Sequence, residues 1–367
     1  MTIFWICVLS VAVAALQSLA FRFFNLRGVR YERRFDRMTA QEGDRVALIE
    51  VIRNKKLMPV PWIRVESRIS SDLRFTGSRG EEREIDAERY HRSLFYLSPY
   101  TQITRRHEIV CEKRGFYQAG SVALTAGDLL GVAQRTRQLS IPCALTVYPR
   151  LLSDDELDAP AARWQGELPV RRWILPDPFL MAGIRDYRAG DPMRDVHWKA
   201  SARTLQLQVK QFDPTVDPKV LVILNVQNSE EQWGELMDYE QEGIEHGIRV
   251  AATLCVRALS ARLEAGFASN ACLAGEKGTG KTIYLPARSD RGQGDALLGA
   301  MSRLLIHREA TFPTFLMELS FVANSDVVVL STYDSPAVSS ALDGLRSRGN
   351  NVTMIPLKRG TRNAKAS

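Results

Sequence analysis

The residues best equipped for chemistry crowd into one stretch. It runs Gly183-Ile-Arg-Asp-Tyr187-Arg-Ala-Gly-Asp191-Pro-Met-Arg194-Asp-Val-His197-Trp198-Lys199-Ala-Ser201-Ala-Arg203. Gly190-Asp191-Pro192 forces a turn in its middle. After that turn Arg194, His197/Trp198 and Ser201 recur three or four apart, which puts them on one side of a short helix. His197 has no Ser or Cys partner in a nucleophile setting, and no H-E-x-x-H run or carboxylate pair occurs elsewhere. The cluster is therefore expected to dock one domain on another through Arg–Asp pairs and Trp198, or to form a partner-binding surface.

A second motif, Gly275-Glu-Lys-Gly-Thr-Gly280-Lys281-Thr282, matches the spacing of a phosphate loop letter for letter. Such a loop needs a buried strand before it and a helix after it, because loop amides and the helix N-terminus hold the phosphates. The residues that follow are Ile283-Tyr284-Leu285-Pro286, an extended run ending in a residue that cannot continue a helix. A Gly-rich hairpin with Lys281 on its rim is the expected structure. A nucleotide-binding enzyme using Gly275–Thr282 is the alternative function.

Two kinds of element must carry these motifs. In residues 35–150, Ile63, Val65 and Ile69 alternate with Arg64, Glu66 and Arg68, the period of a half-buried strand. Arg45–Val51, Arg89–Leu97, Thr104–Cys111, Ser121–Leu124 and Ala144–Tyr148 read as further strands between turn signals. Short strands with no helical period between them suggest an antiparallel sandwich. The acidic, Pro-bearing stretch Ser153–Pro160 closes that domain, and residues 151–217 are a linker holding the charged cluster. In residues 218–357 the pattern changes. Val220–Leu224 is a strand buried on both faces. Ile244, Ile248, Ala251, Cys255 and Leu259 recur at helical spacing. Phe267–Ala274, Val327–Leu330 and Val352–Ile355 read as strands and Gly294–Ile306 as a helix. Ser335 at an N-cap, Pro336 at N1 and Gly349 beyond the end delimit another helix. Alternating strands and helices predict an α/β doubly wound parallel sheet.

Apolar residues make up 45% and charged residues 25% of the 367, which excludes a disordered tail, a collagen-like fibre and a multi-span membrane protein. The five cysteines have no C-x-x-C spacing and read as small core residues in a reducing compartment. Net charge is +7, but it belongs to the ends: residues 1–40 carry +4, the tail Lys358–Ser367 another +4, and residues 41–357 about −1. Ile3–Ala20 is uncharged and long enough for a bilayer core, and its cations follow it. This predicts a transmembrane anchor over residues 1–21 with a basic juxtamembrane segment over 22–34. The positive-inside rule then gives a single-pass cell-membrane protein with its bulk cytoplasmic and its helix in the lipid bilayer. Ser18-Leu19-Ala20 keeps a cleaved signal peptide as the competing reading. A near-neutral body without basic–aromatic interleaving predicts no nucleic-acid binding.

Tyr187, Gly190-Asp191, Arg194, Val196, Trp198-Lys199, Ser201 and Ala202-Arg203 together resemble the signature of the bacterial domain of unknown function 58 family. A weaker family-like patch is Arg114-Gly115-Phe116-Tyr117 with Gly120, Gly127-Asp128 and Gly131. The resemblance implies a multi-domain chain: transmembrane helix, β-sandwich-like domain, then a von Willebrand factor A-like domain over 218–357 and a basic tail over 358–367. It implies a non-enzymatic adaptor or scaffold acting with a MoxR-type AAA+ ATPase in assembly or envelope processes. Such domains commonly hold a metal with Asp-x-Ser-x-Ser after the first strand. This chain has Asn225-Val-Gln227-Asn-Ser229 there, and neutral Asn lacks the charge a hard cation needs. No metal and no other cofactor is expected. Ser331, Thr332 and Asp334 line the same edge or cap the strands.

Overall fold

Along residues 29–148, apolar and polar side chains alternate, and the backbone answers with strands. The computed structural model describes residues 3–6, 8–10, 12–13, 26–70, 72–76, 81–85, 88–128, 134–167, 176–188, 191–214, 219–231 and 236–358. The chain divides into two compact units, Met1–Arg150 with Met301–Arg303, and Leu151–Ala300 with Leu304–Ser367.

The first unit holds β1 Val29–Phe35, β2 Thr39–Gln41, β3 Arg45–Asn54, β4 Val60–Ser70, β5 Leu73–Thr76, β6 Glu81–Ile85, β7 Glu88–Leu97, β8 Gln102–Cys111, β9 Gly115–Gly127 and β10 Gln134–Tyr148. They form two sheets, ordered β1-β3-β8-β5 and β2-β10-β9-β4-β7-β6. Two apolar clusters draw on both sheets. One gathers Tyr31, Ile52, Ile63, Val65, Phe95 and Leu124. The other gathers Phe35, Leu48, Ile69, Ile109, Cys111 and Leu145. Full burial of each such side chain contributes about 1.5–3 kcal/mol. Between the clusters runs a polar belt, because Arg33, Glu50 and Ser67 each sit on their strand between a member of one cluster and a member of the other, all three buried. Glu50 is its centre: Tyr31 Oη donates to Oε1 at 2.5 Å, Ser93 Oγ stands 3.4 Å and His107 Nε2 2.9 Å from Oε2. Burial, and then Glu50, push the Tyr31 hydroxyl far above its ordinary pKa. Of the weaker family-like patch, Gly115–Gly127 forms β9, while Gly131 lies outside the described residues.

The second unit holds α1 Ala159–Glu167, β11 Pro176–Asp186, α2 Trp198–Thr204, β12 Gln208–Pro214, β13 Lys219–Leu224, α3 Asp238–Ser260, β14 Glu264–Ser269, β15 Ala271–Leu273, β16 Ile283–Arg288, α4 Gln293–Arg303, β17 Leu304–Arg308, α5 Phe312–Glu318, β18 Ser325–Ser331, α6 Pro336–Arg346 and β19 Asn351–Pro356. A five-stranded sheet, β16-β14-β13-β18-β19, is parallel except at β16. Leu221, Ile223, Val327 and Val329 on one face pack with Phe312, Phe315 and Leu342. On the other face α3 packs so closely that a Cβ on Gly247 would stand 3.1 Å from Leu224. Gly266 on β14 has a tighter reason to be glycine: a Cβ there would stand 2.7 Å from Ala287 N and Leu285 O of β16. Ser335 caps α6 by accepting from Val338 N, with Pro336 at its first position.

The fold class expected from the sequence is corrected at its N-terminus. Among the described residues no helix is long and apolar enough to cross a membrane, and the chain is mostly β-rich with small helices. The expected span Ile3–Ala20 is described only at residues 3–6, 8–10 and 12–13, which are helical; Arg22 and the rest of residues 14–25 lie outside. A span needs a helix of about 20 apolar residues, and no described helix meets both conditions. The longest described helix, α3, carries Asp238, Glu240, Glu242 and Glu245 and cannot serve. The basic tail beyond Lys358 also lies outside the described residues. Cys111, Cys143, Cys255 and Cys272 are buried and unbridged, and burial pushes the Cys255 thiol up to about 12; Cys7 lies outside.

Candidate functional site

The signature occupies the hairpin β11/β12 and the residues between its arms. Arg185 pairs in register with Val209, and Asp186 with Gln208. Arg185 donates from Nη1 and Nη2 to the two oxygens of Asp191, each at 2.7 Å, and Arg188 N donates to Oδ2 at 2.8 Å. This two-point geometry suits guanidinium and carboxylate planes. The Arg185 bonds, then the Arg188 amide, hold the Asp191 carboxyl down at about 2. A carboxylate with a depressed folded-state pKa stabilises the fold above its ordinary value of 3.8, and that contribution disappears as pH falls toward 2. A 13C titration of the Asp191 carboxyl should therefore give a midpoint near 2. In Arg185→Met it should move up toward 3.8; an unmoved midpoint would refute the clamp.

Beyond Asp191, Met193–Asp195 form a 3-10 turn and α2 begins at Trp198. His197 is the N-cap, and its Nδ1 accepts from Ala200 N at 3.0 Å, which assigns the ring proton to Nε2. Ser201 Oγ donates to His197 O at 3.1 Å and accepts from Gln208 N at 2.9 Å. His197 N donates to Gln208 O at 2.7 Å, and Tyr187 N to Leu207 O at 2.9 Å. These bonds fasten the short helix to the hairpin. The signature thus splits in two. Tyr187, Asp191, His197 and Ser201 sit half-buried or buried in the scaffold, whereas Arg194, Trp198, Lys199 and Arg203 face solvent. Trp198 is 62% exposed. Gly190 lies outside the described residues.

Sequence reasoning passed over Leu205. It ends α2 in the left-handed region, φ 55 and ψ 20, and is 91% exposed. A side chain costs roughly 1–2 kcal/mol there, which is why glycine is the usual residue. The signal was available: a leucine where a helix must stop, with no glycine nearby.

At the carboxyl ends of β13 and β18 the degenerate metal positions are brought together, but with their oxygens already engaged. Asn225 Oδ1 accepts from Gln227 N at 2.9 Å and Asn270 Nδ2 at 3.2 Å. Gln227 Oε1 accepts from Phe312 N at 2.6 Å and Asn270 Nδ2 at 3.3 Å. Asn225 Nδ2 donates to Ser331 Oγ at 2.9 Å, Thr332 Oγ1 donates to Gln227 O at 2.9 Å, and Ser229 is exposed. Neutral amides spent on one another do not fit a hard divalent cation. Asn270, the hub of this network, was not singled out from the sequence; a polar residue directly after the strand Glu264–Ser269 was its only trace.

The phosphate-loop spacing forms a turn-rich connection between β15 and β16, and a strand follows it rather than a helix. Gly275, Gly278 and Gly280 adopt positive φ. The amides of Gly278 and Gly280 donate to Glu309 at 2.6 and 2.8 Å, so a carboxylate of this chain occupies the place of a phosphate. Those two bonds lower the Glu309 pKa, while burial and then Glu309 push the Cys272 thiol up to about 11. Lys281 pairs with Glu276 at 3.6 Å on the rim.

Comparison with known proteins bears on the same region. Residues 183–293 match the family model described as "Protein of unknown function DUF58". A curated relative, "Uncharacterized protein YeaD" of Bacillus subtilis (strain 168), is 24% identical over 205 residues, 55% of this chain and 49% of that protein. The chain therefore spans about half the length of the curated relative it matches. Among solved structures, a non-cellulosomal cohesin from the archaeon Archaeoglobus fulgidus is similar at 10% identity and a TM-score of 0.23, over 35% of this chain and 94% of that one. The sixth cohesin of scaffoldin B from Acetivibrio cellulolyticus gives 10% identity and 0.22, over 32% and 98%. Likeness at that level carries no argument. None of these matches supports the von Willebrand factor A-like or MoxR-associated detail that the resemblance implied. The signature at Tyr187–Arg203 therefore lies inside the segment, residues 183–293, that is similar to the DUF58 family.

Proposed function

We propose that this chain is a non-enzymatic adaptor that holds a protein partner on the exposed half of its signature. The observation that carries the reading is Trp198, 62% exposed beside Arg194, Lys199 and Arg203 on a backbone held by the Asp191 clamp and the Ser201 staple. Exposed aromatic and Arg side chains on a rigid support are the composition of interface anchors. His197 and Ser201, four residues apart, do not act as base and nucleophile. His197 Nδ1 accepts a main-chain amide, and the Ser201 hydroxyl is spent on His197 O and Gln208 N. The Gly275–Thr282 loop spends two of its amides on Glu309, so the nucleotide-binding alternative has no supporting observation.

The partner class suggested by the family resemblance is a MoxR-type AAA+ ATPase. Binding of the purified chain to such an ATPase from the same cell tests the reading. Trp198→Ala is expected to weaken the complex at least tenfold, about 1.4 kcal/mol or more, with the melting temperature of the chain unchanged. An affinity indifferent to Trp198→Ala refutes the surface, and no complex at any concentration refutes the partner class.

A further inference from the structure

Resting on that reading, we propose that the partner presents an acidic segment with apolar anchor side chains, received on an apolar centre of Trp198 and Leu205 inside a basic rim of Arg194, Lys199 and Arg203. Trp198 opens α2, exposed Ala202 lies one turn along it at the i+4 position, and Leu205 is the residue that ends it. Lys199 and Arg203, one turn apart, line the neighbouring row of the same helix, and both are exposed. Met193, on the turn that leads into α2, is a further apolar residue at 56% exposure.

Charge decides the occupant. Residues 193–207 contain three cations and one acid, Asp195, which is half-buried and 3.8 Å from Arg194. A rim of one sign around an apolar centre selects the opposite sign in the partner and repels basic competitors. Leu205 supplies the independent observation. Its backbone is held where glycine would be relaxed, and its side chain is 91% exposed, so it gains nothing from the core of its own unit. Strain kept at an exposed apolar side chain is accounted for when that side chain is used in binding. The Arg185–Asp191 clamp and the Ser201 staple keep this surface in place before a partner arrives, which lowers the ordering cost of association.

The test uses the full chain and defined probes. The first is a fluorescent 16-residue peptide of Leu, Phe and Glu. The second replaces every Glu with Gln, and the third is vesicles of phosphatidylcholine and phosphatidylglycerol at 3:1. The Glu peptide is expected to bind with an affinity that falls as salt rises, and the Gln peptide at least tenfold more weakly. Trp198→Ala, and the triple variant Arg194→Glu, Lys199→Glu, Arg203→Glu, should each lose at least tenfold toward the Glu peptide. Leu205→Gly should weaken binding while raising the melting temperature, a pairing that a purely structural leucine would not give. Equal binding of the two peptides, no binding of the Glu peptide, binding to vesicles alone, or unchanged variants would each overturn the proposal. So would self-association of the chain abolished by Trp198→Ala, because the occupant would then be a second copy. The two readings fail differently: an ATPase complex lost in Trp198→Ala but untouched by the triple charge reversal keeps the adaptor surface and removes the acidic partner.

Discussion

Glu50→Ala is expected to lower the stability of the chain by about 3–5 kcal/mol, the range for removing one partner from a buried polar pair. Glu50 is 1% exposed and faces Tyr31 Oη, Ser93 Oγ and His107 Nε2 inside the sandwich. Alanine removes the acceptor for all three and leaves a cavity between the two apolar clusters, so desolvation and packing losses add. Glu50→Gln keeps an acceptor oxygen and most of the volume and should cost clearly less. Urea denaturation followed by circular dichroism reads both, and equal losses for Ala and Gln would show that volume alone matters at this position.

Asn270→Ala is the second large effect, about 2–3 kcal/mol, from the buried Val226 amide left without its acceptor at about 1–3 kcal/mol together with the weakened network around it. Asn270 is fully buried; its Oδ1 accepts from Val226 N at 2.9 Å, and its Nδ2 reaches Asn225, Gln227 and Ala310 O. Removing it strands the Val226 amide and takes one of two donors from the oxygens of Asn225 and Gln227, which keep Gln227 N and Phe312 N. Hydrogen exchange should show the amides of Val226, Gln227 and Phe312 losing protection together, while those of β3 and β8 keep theirs. Protection unchanged at Val226 would mean that the network is not a unit. Aspartate at residue 270 tests the same hub by charge: a buried carboxylate still accepts from Val226 N but cannot donate, so it should cost no less than alanine.

Much of the local structure was legible from periodicity. The strand expected at Val220–Leu224 is β13, the helical spacing from Ile244 to Leu259 is α3, and Ser335-Pro336 starts α6 where a cap and a fixed φ require it. The period-two alternation of Ile63, Val65 and Ile69 marks β4. The expected membrane span at Ile3–Ala20 is not supported, because no helix among the described residues is long and apolar enough to cross a membrane. Within residues 151–217, read as a linker, the short helix expected after Gly190-Asp191-Pro192 is α2, whereas α1 and the hairpin β11/β12 were not read from the sequence. The β11/β12 arms are interrupted in register, and nothing in either arm alone names the other.

The candidate site shows the same division. Its residue types were all visible in the sequence, because Trp, His, Arg and Asp rarely crowd into twenty positions. Their roles were not. Ser201 and His197 look alike in chemistry to Trp198 and Lys199 as exposed helix residues, yet the fold turns the first pair inward to Gln208 and leaves the second in water. By itself the sequence determined many of the strands and helices, where several of them start and stop, and the resemblance of the signature to DUF58, because propensity, capping and motif spacing act within a few residues. Only the tertiary structure decided that Glu309 fills the glycine loop, that Asn270 joins Val226 to Gln227, and that Leu205 is held strained in solvent. Those outcomes depend on groups 29 to 44 residues apart, or on the path of a whole hairpin, and they exist only after long-range pairing has brought the groups within hydrogen-bond reach.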